Sequence, residues 1–478
     1  MAEKNYKELI AEENDAMILS KKQLLDEVDK AVANYHAPKG EILEKQLEWF
    51  QDQKFGLMVH WGLYCQMGMK ESWPLVDNDW SKWQFKPGTK PIEVKEMYSQ
   101  LHKGFLPLRF DPEEWADIAY EAGFRYLVFT TKHHDGFCMW DTKTTDYKVT
   151  GPEVPWRDNK NADITKALFD AFRAKGMGIS AYFSRADFAC PYYWEPGYFW
   201  KDGTLRVPSY DPDTNPELWK KFQDFVYAQL EELVTQYGHI DSLWYDGGCD
   251  GVKLGLPEMT EKLREYQPWM LGVIRGGGGV CEDIVTPECL TPPDPIFVPW
   301  EACTVMGIPQ EEYGVNTHIS FGYTYDQDYM SAKQVAHLLL DIVAKGGNLA
   351  LNIAPQPDGR LPHRAVDELK VLSKWMAVFG PAIHGTRAVT PYRTGQWAFT
   401  RTKDSKQINA FFLYGDDNKL PAECIIPVTE INAVKVTDMR TGANVDFTPV
   451  EGGLKLTLPE AIISRDGDIA DCFNISVE

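Results

Sequence analysis

Between residue 50 and about residue 380, short apolar runs of strand length alternate with amphipathic helical segments. This alternation is typical of a parallel sheet covered by helices, because parallel strands need a crossover that usually carries a helix. Eight such runs predict a (β/α)8 TIM-like barrel, at 55–61, 126–132, 178–184, 241–246, 269–274, 284–287, 317–323 and 348–353. Helices are predicted between them, for example at 112–122, 162–175, 216–237, 258–266 and 332–345.

The last hundred or so residues follow a different pattern. Their β-rich segments are short and are separated by Gly, Asp and Asn, at 396–402, 407–414, 422–427, 431–437, 454–458 and 472–477. They predict a small antiparallel β-sandwich. Residues 1–45 are charged, with apolar residues at helical spacing, and predict one or two helices packed outside the barrel. We therefore expect a helical extension (1–45), a catalytic barrel (46–383) and a C-terminal sandwich (384–478).

The charge balance limits the classes of function that this chain can have. The chain carries 70 acidic and 49 basic residues, a net charge of −21. Such a surface repels phosphate groups, so we expect neither a nucleic acid nor a membrane partner.

Nine scattered cysteines without a Cys-x-x-Cys pair indicate reduced thiols. No secretion signal is visible at the N-terminus, so a cytoplasmic location is expected, or a secreted one if a leader has been trimmed.

Polar side chains stand where several predicted strands end. The run Ser-Leu-Trp-Tyr-Asp-Gly-Gly at 242–248 is a buried strand that ends in Asp246, and the glycines leave room beside the carboxylate. In α/β barrels the carboxyl ends of the strands build one site. The residues at or near such ends are His60, His133, His134, Tyr182, Asp246, Arg275 and Glu288. The adjacent His133 and His134 can share that site only where their strand has ended.

Two carboxylates, neutral donors and one arginine suit a retaining glycosidase. One carboxylate attacks the anomeric carbon, and the second protonates the leaving oxygen and later activates water, with the two about 5–5.5 Å apart. Taken singly, Asp246 could cap a helix, Glu288 could be a solvated loop acid and His60 a core residue. A metal site is the rival use of His-His-Asp, but no His-Glu-x-x-His spacing is present, so no metal or cofactor is expected.

Three motifs resemble the α-L-fucosidases of glycoside hydrolase family 29. They are Lys-Phe-Gly-Leu-Met-Val-His-Trp-Gly-Leu-Tyr at 54–64, Lys-His-His-Asp-Gly-Phe-Cys-Met-Trp at 132–140 and Leu-Trp-Tyr-Asp-Gly at 243–247. Gly-Thr-Arg at 385–387 is similar to the family's junction into its C-terminal sandwich, and the likeness runs from about residue 47 to the end. The resemblance implies a barrel plus sandwich, retaining exo-hydrolysis of terminal α-L-fucose from an oligosaccharide or glycoconjugate, and no cofactor.

The resemblance also implies residue roles. Asp246 matches the nucleophile, and Arg275 matches the arginine before the acid/base loop. The positions that match fucose-binding residues are His60, His133, His134 and Tyr182. Trp140 resembles a wall residue near the sugar's methyl group, with Phe137 and Trp61 as further candidates. Glu288, in Thr-Pro-Glu, is the first choice for the acid/base. Glu301, in Pro-Trp-Glu, is the runner-up and otherwise a substrate ligand.

The chain departs from the family pattern in two places. Glu71 stands in Glu-Ser-Trp where Glu-Trp-Tyr is usual, and it is still expected to bind the sugar. Residues 185–190 replace a Trp-His pair, which predicts a remodelled leaving-group side. A catalytically silent fucose-binding protein on the same fold is the alternative, and a metal-dependent hydrolase is a third reading. The preferred linkage stays open, and the sequence allows a homo-oligomer.

Overall fold

The computed structural model describes residues 24–76, 89, 91–198, 207–275, 282–308, 311–312, 315–316, 320–325, 327–421, 423–465 and 467–478. Strands β1 to β11 are, in chain order, Phe55–Val59, Tyr126–Lys132, Gly178–Ser184, Ser242–Asp246, Leu271–Ile274, Glu301–Val305, Gly307–Ile308, Glu311–Glu312, Val315–Asn316, Asp328–Tyr329 and Asn348–Asn352. Seven of them form one parallel sheet in the order β5-β4-β3-β2-β1-β11-β6. The short strands pair as β7 with β10 and β8 with β9.

Residues 282–288 run between the two edges of this sheet. The amide of Asp283 donates to the Gly272 carbonyl (2.9 Å), beside β5. On the other side, the Glu301 amide donates to the Val285 carbonyl (2.9 Å) and the Cys303 amide to the Pro287 carbonyl (3.0 Å), beside β6. The segment therefore completes a TIM-like barrel, and the predicted α/β class is confirmed.

Two strand predictions were wrong. Residues 284–287 make only isolated bridges, because Pro287 has no N–H to continue a ladder. The sixth regular strand is β6, which starts on a glutamate and was not predicted. Of the predicted strand 317–323, residues 317–319 lie outside the described residues and 320–323 are not extended in a sheet.

The five predicted helices are confirmed, each within two residues of its limits. Residues 24–33 are helical (α1), and helices α2 to α10 are Glu41–Gln53, Pro91–Tyr98, Pro112–Glu121, Ile164–Ala174, Pro216–Gln236, Gly251–Leu254, Leu256–Arg264, Ala332–Ala344 and His363–Phe379. Aspartates cap three of them, since Asp111 accepts from the Glu114 amide, Asp163 from the Lys166 amide and Asp250 from the Val252 and Lys253 amides. None of the helices in the described ranges is long and apolar enough to cross a bilayer.

Side chains along the barrel strands alternate between two cores. Met58, Val128 and Trp244 point into the barrel, where Phe50 of α2 closes the amino ends of the strands. Phe183 points the other way, into the larger core between the sheet and its helices. This alternation decides which side chains can reach a site inside the barrel mouth.

The C-terminal part is an antiparallel sandwich, as predicted. Strands β12 to β19 are Arg387–Thr394, Trp397–Arg401, Gln407–Leu413, Ile425–Ile426, Ala433–Asp438, Asp446–Val450, Gly453–Thr457 and Ala470–Val477. A five-stranded sheet (β12-β13-β14-β19-β16) and a three-stranded sheet (β15-β18-β17) share one apolar core. The domain boundary that we propose at 383/384 falls between the turn Gly380–Ala382 and β12, whereas the one proposed at residue 45 falls inside α2.

Candidate active site

Asp246, the last residue of β4, is the centre of the site. Its side chain is 11% exposed. Arg275 Nη1 donates to Oδ1 (3.0 Å) and the Tyr182 hydroxyl to Oδ2 (2.5 Å). Burial alone would raise the pKa of Asp246, but the charge of Arg275, helped by the Tyr182 hydrogen bond, outweighs burial and holds this pKa well below its usual range. Asp246 is therefore ionised at neutral pH.

Arg275 connects the two carboxylates that the sequence singled out. Its Nη1 holds Asp246, and its Nη2 forms an ion pair with Glu288 Oε2. Burial would lower the pKa of Arg275, but the charge of Asp246 raises it instead. The side chain of Glu288 is 28% exposed, so it is less enclosed than Asp246. A single guanidinium thus brings both acids to one edge of the barrel.

The two histidines after β2 both face this site. His133 and His134 follow the last residue of the strand, and their ring centroids are 4.3 Å apart. Nε2 of His134 lies 3.9 Å from Asp246 Oδ2, and Nδ1 of His133 lies 2.5 Å from the Ser72 hydroxyl. Burial, reinforced by the neighbouring histidines, holds the pKa of His133 well below its ordinary value. His133 is therefore a neutral hydrogen-bonding group.

His60 is held in one tautomer by Asn352. The Asn352 amide nitrogen donates to the Phe321 carbonyl (2.7 Å), so its oxygen faces His60. That oxygen accepts from the His60 amide (3.1 Å) and lies 2.8 Å from Nδ1, so Nδ1 carries the hydrogen. Burial lowers the pKa of His60 to about 4. Its Nε2 is left as an acceptor, suited to a ligand hydroxyl.

Trp140 does not reach the site, so its predicted position in a sugar-methyl wall is wrong. Its indole N–H donates to Glu232 on α6 (3.1 Å), and its ring lies near Phe183, outside the barrel. Trp61 and Phe137 belong to the same outer core. For Trp61 the reason is strand alternation, because His60 points into the barrel and its neighbour points out.

Glu301 does not reach the site either. It begins β6 at the amino end of the barrel, one layer below Asp246. Its two oxygens accept from the Tyr126 hydroxyl (2.5 Å) and the Trp244 indole (3.2 Å). Burial raises its pKa to about 7. A role as acid/base or direct sugar ligand is therefore contradicted by its position.

Glu71 anchors a loop beside His60. Its Oε1 accepts from the Ser320 hydroxyl (2.8 Å) and the Gly322 amide (2.6 Å), and this fixes Phe321 between them. The side chain is buried, and burial raises its pKa. The predicted contact of Glu71 with the sugar stays a prediction.

Sequence reasoning missed two aromatic rings at the site. Trp73, which is partly exposed, lies with its ring centroid 4.7 Å from that of His134. Phe321, also partly exposed, lies 4.8 Å from the His60 ring. The Glu-Ser-Trp string was a signal for Trp73, because a tryptophan two residues after a predicted sugar ligand offers a flat apolar face. Phe321 had no comparable signal.

The His-His-Asp cluster could also offer ligands to a metal ion. Ligand atoms of His133, His134 and Asp246 lie within 4.8 Å of one another. However, Asp246 already pairs with the guanidinium of Arg275. A divalent cation on the same carboxylate would face that positive charge, so the arrangement favours an organic ligand over a metal.

With this geometry established, the chain can be compared with known proteins. The sequence model of the α-L-fucosidase family matches residues 24–381. The chain belongs to the α-L-fucosidase family. It is 26% identical to the rat (Rattus norvegicus) tissue α-L-fucosidase over 447 residues, or 86% of each chain. This membership confirms the glycoside hydrolase class predicted from the motifs.

Two solved structures are similar over almost the whole chain. α-L-Fucosidase isoenzyme 1 from Paenibacillus thiaminolyticus is 28% identical, with a TM-score of 0.71 over 91% of this chain and 100% of that one. Thermotoga maritima α-fucosidase, in complex with a mechanism based inhibitor, is 26% identical, with a TM-score of 0.69 over 92% of this chain and 100% of that one. Both agree with the barrel-plus-sandwich architecture.

Proposed function

We propose that this protein is a retaining exo-α-L-fucosidase in which Asp246 is the nucleophile and Glu288 the acid/base. The observation that carries the proposal is the bridge from Arg275 to both carboxylates at the strand ends. The guanidinium keeps Asp246 ionised. It also pairs with Glu288, so the two carboxylates are joined through a single side chain. Retaining glycosidases need this closeness, with carboxyl groups about 5–5.5 Å apart.

In the first step, a carboxylate oxygen of Asp246 bonds to the anomeric carbon of fucose. Both oxygens of Asp246 carry a donor, so one hydrogen bond is exchanged for the new covalent bond. As the glycosidic bond breaks, Glu288 gives its proton to the leaving oxygen. Glu288 must therefore leave its ion pair with Arg275 and be protonated when substrate is bound.

In the second step, Glu288 removes a proton from water, and that water attacks the anomeric carbon and releases Asp246. Fucose returns to its original anomeric configuration because two displacements have occurred. We propose that the neutral His60 and His133 form hydrogen bonds with the ring hydroxyls of fucose. We assign the apolar wall for the sugar's methyl group to Trp73 and Phe321, in place of Trp140.

The substrate we propose is a fucosylated oligosaccharide or glycoconjugate. We also propose a reducing compartment such as the cytoplasm, supported by the eight cysteines in the described ranges, which are all free thiols.

The test is release from an aryl α-L-fucoside, with the first product's anomer read by NMR. We expect the α-anomer first, with activity unchanged after prolonged chelation. A β-anomer first would contradict retention, and activity lost to chelation would support a metal-dependent hydrolase. Fucose binding without any release would support the catalytically silent alternative.

A further inference from the structure

Helix α1 forms one wall of a cavity at the barrel mouth. Its inner face carries Val28 and Ala31, which are buried, and the side chains of Glu27 and Lys30 line the same cavity while remaining largely exposed. The hydroxyl of Tyr35, just after the helix, donates to the Asp283 carbonyl (3.0 Å) and holds this end against the barrel. Helix α1, which the sequence predicted to pack on the outside of the barrel, therefore lies against its mouth.

The opposite wall of the cavity is formed by residues of the candidate active site. Arg275 and Glu288 line it, together with Gly247, the residue after Asp246. Arg185 lines it as well, and its guanidinium donates to the carbonyls of Gly247 (3.0 Å) and Arg275 (2.9 Å). The cavity thus adjoins the candidate acid/base on the side away from the histidines.

The position of Glu288 fixes what this cavity can receive. The acid must lie within hydrogen-bond reach, about 2.6–3.2 Å, of the leaving oxygen. The group attached to that oxygen therefore extends from fucose toward Glu288 and into the space under α1. At about 280 Å³ the cavity is slightly smaller than a typical drug-sized site of about 300–1,000 Å³, which suits one sugar residue.

We propose that α1 and the strand ends form the binding site for the first sugar of the leaving group, with Glu27 and Lys30 as specificity-determining residues. This inference rests on the proposed function and on Glu288 as its acid. Charged groups of both signs on the two walls can donate to and accept from sugar hydroxyls. The apolar Val28 between them suits the C–H face of a pyranose. The substrate class that follows is a fucosyl oligosaccharide rather than a fucosyl lipid or aryl glycoside.

A second cavity offers a competing location. Asp135, the residue after the histidine pair, lines it, together with the aromatic side chains of Tyr98, Tyr147, Phe188, Trp194 and Tyr198. Sequence reasoning pointed to both cavities, because the segment 185–190 supplies Arg185 to the first one and Phe188 and Ala189 to this one. It lacks Glu288 and Arg275, however, so a leaving oxygen in reach of the acid would not direct its sugar into it.

The experiment compares the double variant Glu27→Ala/Lys30→Ala with wild type on two substrates. One is fucosyl fluoride, whose leaving group occupies almost no space. The other is the fucosyl disaccharide that wild type cleaves fastest from a panel of linkages. We expect the ratio of kcat/KM, disaccharide over fluoride, to fall about tenfold, the effect of losing one charged hydrogen bond. The loss should lie in KM, with the pH profile unchanged.

Two control variants sharpen the result. Asp29→Ala, on the outer face of α1, should keep the wild-type ratio. Tyr198→Ala should also keep it, and a fall confined to Tyr198→Ala would move the leaving-group site to the aromatic cavity and overturn the proposal. An unchanged ratio in the double variant, or a loss in kcat with a shifted pH profile, would overturn it too. If wild type cleaves neither substrate, the proposed function itself fails, and the leaving-group site with it.

Discussion

The two ends of the barrel each hold a buried carboxylate, and the two behave oppositely. Asp246 at the carboxyl ends of the strands lies against the guanidinium of Arg275, and its pKa is held low. Glu301 at the amino ends accepts from two neutral donors, Tyr126 and Trp244, and burial raises its pKa to about 7. Burial is common to both, so the neighbouring cation decides which carboxylate is a ready nucleophile.

Replacing the two acids should separate their roles most strongly. Asp246→Ala should lower kcat by more than about 10⁴-fold, because no covalent intermediate can form. Added azide should restore part of the rate and give an inverted product. Glu301→Gln should keep kcat within about threefold of wild type, since it only replaces a neutral acid by an amide. Equal losses of kcat in the two variants would contradict the distinction between the two carboxylates.

Removing the candidate acid should depend on the leaving group. Glu288→Gln should slow a fucosyl disaccharide by about 10²–10⁴-fold, the usual range for general acid catalysis. Fucosyl fluoride, which needs no proton, should react nearly as fast in the first step. The measurement is kcat/KM on both substrates. A loss of similar size on both would remove Glu288 from the acid role.

Arg275 should be responsible for the low pKa of Asp246. In Arg275→Gln, burial is opposed less strongly, by His134 and the Tyr182 hydrogen bond, so the pKa of Asp246 should rise. The acidic limb of the pH–rate profile should then move to higher pH, with about a 10²-fold loss near neutrality. Arg275→Lys keeps the positive charge but cannot bond both carboxylates at once. We therefore expect kcat/KM to fall while the acidic limb stays in place. A limb that stays in place in both variants would contradict this explanation.

Glu301 should make the fold less stable at alkaline pH. A carboxyl with a raised pKa binds its proton more tightly in the folded state. Stability is therefore full below the unfolded pKa, near 4.5, and is lost as pH rises toward about 7. Glu301→Gln should remove about 2–3 kcal/mol of the difference in unfolding free energy between pH 5 and pH 8, as measured by urea titration. An undiminished difference would mean that Glu301 is not the group responsible.

The smallest effect concerns the sugar's methyl group. Trp73→Ala should lower the preference for an α-L-fucoside over the α-L-galactoside, which carries an extra hydroxyl, by about tenfold. Trp140→Phe should leave the preference as it is, because that ring lies outside the barrel. The ratio of kcat/KM for the two glycosides decides the matter. A response in Trp140→Phe alone would restore the wall predicted from the sequence.

Much of the fold and the centre of the site followed from local sequence pattern. Apolar runs with helices between them predicted six of the seven barrel strands, and the polar residues at or just after the ends of those runs included Asp246, His133 and His134. These inferences succeed because the periods of strands and helices can be recognised in a few consecutive residues. The motif order then supplied the family, which the match over residues 24–381 confirmed.

Only the tertiary structure decided which side chains pair with each other, in which layer of the barrel they lie and which of them line the site. No local pattern shows that Arg275 spans two acids, that Glu301 starts its strand at the far end of the barrel, or that Trp140 packs outside the barrel. Nor does it show α1 beside Glu288. These features depend on contacts between residues far apart in the chain, and charge states depend in turn on those contacts. The sequence determined which groups stand at the strand ends, and packing determined what each of them can do.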